Sequence, residues 1–301
     1  MQSQKFDEEP LVCLRCLTGN APGATQCAHC GAVMIMPDED FGLTLRVSAR
    51  TSVGQVRANN EDNVGVWAIN GVVIGIVADG MGGAAAGEVA SRLTVEAIGS
   101  HFAAQDSETG EPTGDLQLLS ESDLLDKLRS AIHRANRSVV DHSQKNAQRK
   151  GMGTTSTAAL IRGNRVLLAH VGDSAAYLAD KVDGSVTQLT VDHSFVQALV
   201  ASGHITQAQA RYHPMKHVLY RALGQSLELD VDLYARTVRA GDRIVLCSDG
   251  LIRHIAPEEI AEIVLREEMP SAATEQLLTL VNERGAEDNA TVIVITVEQA
   301  S

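Results

Sequence analysis

Two apolar stretches of this chain stop at the same dipeptide: Val72 to Ala78 runs into Asp79-Gly80, and Arg243-Ile-Val-Leu-Cys-Ser runs into Asp249-Gly250. Asp288 stands just before a further apolar run, 290–297, and Glu61 and Asp62 stand just before the run 64–69. Uninterrupted apolar runs rich in β-branched residues read as strands buried on both faces. Each acid then falls at a strand's mouth. Five carboxylates crowded into one cleft repel one another unless cations balance them, and oxygen-only ligands favour hard divalent ions, Mg2+ or Mn2+, over zinc. Two such ions clamping an oxyanion suit in-line hydrolysis of a phosphate ester. Taken singly, an Asp-Gly is an ordinary tight turn, and the connection carrying Arg57, Glu61 and Asp62 is an ordinary solvated loop. The recurrence of acids at strand ends is what favours a metal site.

A second constellation lies near the start. Cys13-Leu-Arg-Cys16 and Cys27-Ala-His-Cys30 are two CxxC knuckles joined by ten residues that include Gly19, Asn20, Pro22 and Gly23. Four thiolates so spaced can converge tetrahedrally on Zn2+. A redox dithiol pair is the competing reading, but neither knuckle sits in a βαβ context. His29 is read as a surface residue. Residues 1–36 are therefore expected to form a zinc-ribbon-like segment, too small for a core of its own, so that the metal supplies its folding energy. Residues 37–42 read as an acidic linker.

The chain has 301 residues and a net charge of -13, enough for one large core and an appendage. Basic residues are nowhere clustered, which argues against nucleic acid as a partner. No apolar run approaches the ~20 residues of a membrane span and the start has no signal-peptide core, so a cytoplasmic location is expected.

The acids must be positioned by strands and helices that the pattern also shows. Leu43, Leu45 and Val47 alternate with polar residues as in a half-buried strand, and Asn70-Gly71 marks a hairpin into the run ending at Asp79. Residues 84–104 and 124–140 carry aliphatic stripes at helical spacing, separated by an acidic surface excursion over 105–122. Short strands over 151–161, 165–171, 175–179 and 186–190 follow in hairpin succession, which predicts antiparallel sheet. Residues 192–214, with His193, His204 and His213, read as a mobile flap over the site rather than a metal centre.

Residues 43–298 resemble the bacterial type of the metal-dependent type 2C protein phosphatase family, through RANNED, ADGMGG, GMGTT, HVGDS, CSDGL and EDNATV in that order. The resemblance implies an α+β fold of two packed antiparallel β-sheets flanked by helix pairs, in front of which the cysteines place the small zinc ribbon. It implies a serine/threonine protein phosphatase, acting by attack of a metal-bridging hydroxide without a covalent intermediate. Asp79 is implied to bridge two Mn2+ or Mg2+ ions, with Asp249 and Asp288 completing one. Glu61 or Asp62 and the Gly80 carbonyl serve the other, and Arg57 holds the substrate phosphate. Phosphoproteins are the implied partners, a serine/threonine kinase and its substrates among them. Where many bacterial members have a third-metal aspartate before Gly-Met-Gly-Thr-Thr, this chain has Lys150, so a third ion is expected to be weak or absent. Ala175, where relatives commonly have arginine, is a second departure.

Two rival readings remain at this stage. Cys247 and Arg253 satisfy the C-x5-R spacing of cysteine-dependent phosphatases, although Asp249 inside that loop would repel phosphate. A non-catalytic phosphoprotein sensor acting through the zinc ribbon is the rival from another class.

Overall fold

The computed structural model describes residues 6–36, 41–83, 86–103, 116–210 and 212–300. Residues 37–40 of the expected linker and 105–115 of the expected surface excursion lie outside the described residues. The chain begins with β1 (Leu11–Cys13) and β2 (Gly19–Asn20), followed by β3 (Leu43–Ser52), β4 (Asp62–Ile69) and β5 (Val72–Met81). Two helices come next, α1 (Ala86–Ala103) and α2 (Glu121–Lys145). The helix α2 starts three residues earlier than its aliphatic stripe because Ser120 and Asp123 cap each other's backbone amides in a capping box.

The middle of the chain forms β6 (Gly153–Thr154), β7 (Ser156–Arg162), β8 (Arg165–Val171), β9 (Ala175–Ala179) and β10 (Val186–Gln188). Short helices α3 (Phe195–Ala201) and α4 (Gln207–Ala210) lie in the expected flap. The end of the chain forms β11 (Asp232–Thr237), β12 (Arg243–Cys247), α5 (Asp249–Ile252), α6 (Pro257–Arg266), α7 (Pro270–Glu283) and β13 (Ala290–Gln299). The strand expected over 151–161 is interrupted at Thr155, which leaves β6 and β7 as separate pieces.

These strands form two sheets. One runs β11-β8-β7-β5-β4-β1-β2, with β6 pairing β5, and the other runs β10-β9-β12-β13-β3. Val73 and Val77 of β5 meet Leu246, Ile293 and Ile295 in the apolar layer between the sheets. Alternate residues Ile74 and Ile76 of β5 point the other way, against Leu128 and Ile132 of α2. On the far side Val245 and Val292 pack against Ile260 of α6 and Leu277 of α7. The result is an α+β sandwich of two sheets between two helix pairs, and β5, apolar on both faces, lies at its centre.

One part of the architecture departs from the expected division into a ribbon, a linker and a main domain. The strand β1 pairs in parallel with β4 (Leu11 opposite Val66, Cys13 opposite Ala68), the one parallel pairing among the described strands. Leu11, Cys13 and Met34 are buried in the core shared by the two sheets. The cysteine-bearing segment thus covers an edge of the large sheet, and the edge backbone of β4 is satisfied by it.

Candidate active site

Three strand ends open on a cleft of about 360 Å³ lined by Arg57, Glu61, Asp79, Gly80, Thr155, Asp173, His217, Asp249, Arg253, Asp288 and Asn289. The two Asp-Gly pairs sit in different elements: β5 does not stop at Asp79 as expected but runs on through Gly80 to Met81, paired there with β6, whereas Asp249-Gly250 opens α5. In each the glycine is there because another backbone passes too close for a side chain. A Cβ on Gly80 would lie 2.2 Å from the Gly87 carbonyl oxygen, and one on Gly250 would lie 1.9 Å from that of Asn289. Gly250 therefore lets the mouth of β12, carrying Asp249, sit against the mouth of β13, which follows Asp288.

Backbone hydrogen bonds hold Asp79 in place. Thr155 accepts from the Asp79 amide through Oγ1 at 2.9 Å, and both the Thr155 amide and the Thr154 hydroxyl donate to the Asp79 carbonyl at 2.9 Å. The interruption between β6 and β7 is what aims Thr155 at this residue. Asn289 does the same for the loop bearing Arg57 and Glu61: its Oδ1 accepts from the Glu61 amide at 2.8 Å, and its Nδ2 donates to Val53 and Asn59 carbonyls at 2.9 and 3.0 Å.

Glu61 and Asp62, left as alternatives by the sequence, are separated by the structure. Glu61 lines the cleft. Asp62 is buried behind it, where its Oδ2 accepts from the hydroxyls of Ser248 and Thr291 at 2.7 Å each. Burial pushes the Asp62 carboxyl up to about 7 even though both hydroxyls stabilise its ionised form.

The remaining acids feel burial and one another. Asp79 is held well above the ordinary carboxylate range by burial, then by Asp62, Asp249 and Asp173. Asp173 is raised in the same way, by burial and then by Asp249. Asp249 is raised by burial, with Arg253 opposing. Glu61 is raised by burial, with Arg57 opposing. Carboxylates that are held protonated by burial and then by one another are a set that hard divalent cations would neutralise, and the acids lining the cleft, Glu61, Asp79, Asp173, Asp249 and Asp288, offer oxygen ligands. The donor chemistry fits Mg2+ or Mn2+.

Two arginines supply positive charge. Arg57, half exposed at the rim, donates to Asp288 Oδ2 at 2.9 Å, and Arg253 donates to the same oxygen at 2.8 Å. Arg253 also pairs with Asp249 and donates to His217 Nδ1 at 2.8 Å. Asp173, Thr155, Asn289 and His217 were given no role by the sequence, and Arg253 only that of the arginine in the rival C-x5-R reading. All but His217 and Arg253 lie inside the quoted motifs, which is the signal that could have found them. Cys247 of the rival C-x5-R reading is fully buried on β12, its thiol pushed up by burial, and it does not line the cleft.

The four cysteines converge elsewhere. The Sγ atoms of Cys13, Cys16, Cys27 and Cys30 all lie within 4.8 Å of one another, the only such group of three or more metal-binding side chains among the described residues. Cys13 and Cys30 Sγ are 3.8 Å apart and Cys16 and Cys27 Sγ 3.5 Å. A disulfide requires ~2.05 Å, whereas a tetrahedron of Zn–S bonds near 2.3 Å has edges of about 3.8 Å. His29 is exposed and outside this group.

The chain belongs to the protein phosphatase 2C family, whose model matches residues 51–288. It is 42% identical over 255 residues to the serine/threonine protein phosphatase PstP of Mycobacterium tuberculosis, covering 85% of this chain and 45% of that one, so it spans about half the length of this relative. It is 36% identical to the serine/threonine phosphatase stp of Listeria monocytogenes, covering 82% of this chain and 93% of that protein. Among solved structures, the PstP catalytic domain in complex with two manganese ions superposes with a TM-score of 0.70 at 41% identity, over 85% of this chain and 99% of that one. The Streptococcus agalactiae serine/threonine phosphatase superposes with a TM-score of 0.76 at 36% identity, over 84% of this chain and 100% of that one.

Proposed function

We propose that the protein is a serine/threonine protein phosphatase that requires Mn2+ or Mg2+. The observation that carries this reading is the convergence of Asp79, Asp249 and Asp288 from three strand ends on one open cleft with Arg57 at its rim. Asp79 would lie between two ions, with Asp249 and Asp288 on one side and Glu61 and the Gly80 carbonyl on the other. Asp62 supports this set from behind by its bonds to Ser248 and Thr291. When bound, the ions supply a water that ionises near neutral pH and neutralise charge gathering on the phosphoryl oxygens. Arg57 presents a planar fork of donors suited to bidentate grip on the substrate phosphate. Asn289 and Thr155 keep Glu61 and Asp79 from moving during the reaction.

The substrates in this reading are phosphoserine and phosphothreonine on proteins, a serine/threonine kinase and its targets among them. The four cysteines hold Zn2+ in a ribbon-like segment over 1–36, whose β1 adds to the large sheet of the phosphatase domain at 43–298. No helix among the described residues is long and apolar enough to cross a membrane, and we place the protein in the cytoplasm on its composition. The test is phosphate release from a phosphothreonine peptide and from p-nitrophenyl phosphate by the full chain, with and without Mn2+. Release that depends on the added ion supports the reading. No release from either at any Mn2+ or Mg2+ concentration would leave the sensor reading standing.

A further inference from the structure

Lys150, the cation that stands where many relatives have a third-metal aspartate, is exposed and does not line the cleft. The cation beside Asp249 is Arg253. It follows Asp249 by four residues, so one turn of α5 folds its side chain back over the strand end that carries the acid. Its Nη1 donates to Asp288 Oδ2 at 2.8 Å, and its Nη2 pairs with Asp249 and donates to His217 Nδ1 at 2.8 Å. The guanidinium thus bridges the two carboxylates that the proposed function assigns to a single ion. No three carboxylates among the described residues gather within 4.8 Å of one another, as the four cysteines do.

A guanidinium has donors only and stays charged at any pH a protein survives. Each carboxylate lone pair that it occupies is closed to a metal ion, and its charge repels a divalent cation at the same spot. It can yield only by rotating away. The side chain is 32% exposed, and its outer partner, His217, belongs to the segment that follows α4, so that rotation leads toward solvent. We infer that Arg253 is an internal competitor of the divalent ion at the Asp249–Asp288 corner, and that it weakens the binding of that ion. The inference rests on the metal-dependent reading of the cleft.

The experiment counts Mn2+ without turnover. Free Mn2+ is followed by electron paramagnetic resonance as the full chain is titrated in the absence of substrate, for the unaltered protein, Arg253→Gln, Arg253→Lys and Asp249→Asn. Arg253→Gln keeps a polar side chain but frees both carboxylates, and one of its Mn2+ steps should tighten about tenfold, with Arg253→Lys between the two because an ammonium is a single point charge. Equal or weaker binding by Arg253→Gln would overturn the inference. Should that variant fail to fold in a thermal melt, Arg253→Lys carries the test: tighter binding than the unaltered protein supports the inference, and unchanged or weaker binding overturns it. Asp249→Asn distinguishes the two levels, because Mn2+ binding unaffected by that change would mean that the metal reading itself is wrong.

Discussion

Asp62 and Asp79 stand opposite each other across β4 and β5 as a cross-strand pair. Like charges directly opposite in a sheet are destabilising, and here both acids are held above the ordinary carboxylate range by burial. The two residues differ in what else they touch. Asp62 is bonded to Ser248 and Thr291, whereas Asp79 faces the cleft. Asp62→Asn should therefore raise the stability of the protein without added Mn2+, by up to about 1 kcal/mol, since the burial that penalises the ionised carboxyl no longer acts and the amide oxygen can still accept both hydroxyls. Turnover should fall less than in a variant that alters Asp79. Thermal melts and phosphate release check the two halves, and a loss of stability in Asp62→Asn would show that its ionised form is needed by the fold.

Gly250→Ala tests the packing of the second Asp-Gly corner. The added methyl would lie 1.9 Å from the Asn289 carbonyl oxygen, a backbone atom that has no free rotation to escape. The change should cost at least several kcal/mol or prevent folding, beyond the usual penalty for overpacking. Solubility and urea unfolding report this, and a variant as stable as the parent would show that the two strand mouths are not in contact.

A pH dependence follows from His170. Burial, then His193, pushes this imidazole down to about 3, from an ordinary value near 6.5. Between those values the unfolded chain binds a proton that the folded one refuses. The contribution is fully present above pH ~6.5 and is lost as pH falls toward 3, at about 1.4 kcal/mol per pH unit at its steepest. His170→Gln removes the titrating group, so its urea midpoint should fall less steeply than the parent's between pH 6 and 4. Parallel curves would place the acid sensitivity elsewhere.

Deleting residues 1–40 distinguishes an appendage from a covering strand. Because β1 pairs with β4 and Leu11, Cys13 and Met34 are buried in the shared core, the shortened chain should melt several degrees lower. Stripping zinc from the full chain should lower the melting temperature as well. An unchanged melting temperature after the deletion would mean that the ribbon is an independent unit.

The contrast between what the sequence shows and what only the structure shows has physical causes. Asp79 and Asp249 are legible because each closes a long apolar run with Asp-Gly, and the chain does so twice; that β5 runs on to Met81 is not, because its last rungs depend on pairing with β6. The flanking helices are legible by their stripes, and the true start of α2 is visible in Ser120 and Asp123 to a reader who asks for a cap. The parallel pairing of β1 is not, since three residues carry no periodicity and their partner strand lies about 50 positions away. Glu61 and Asp62 are neighbours at the mouth of one strand and point to different sides, so only the sheet decides which one meets the cleft. Arg253 and Lys150 are equally cationic on paper. What separates them is that α5 turns one back onto Asp249 while the other stays in solvent.

In the proposed mechanism carboxylates, not a thiol, are the working groups. The most direct test of this is the rate of Mn2+-dependent phosphate release from a phosphothreonine peptide by Asp79→Asn and Cys247→Ser side by side. Asp79 is shared between the proposed ions, so Asp79→Asn should lose activity by about 10³-fold or more. Cys247 is fully buried on β12 with its thiol pushed up by burial, so Cys247→Ser should retain most of the rate. A dead Cys247→Ser beside an active Asp79→Asn would contradict the two-metal account outright.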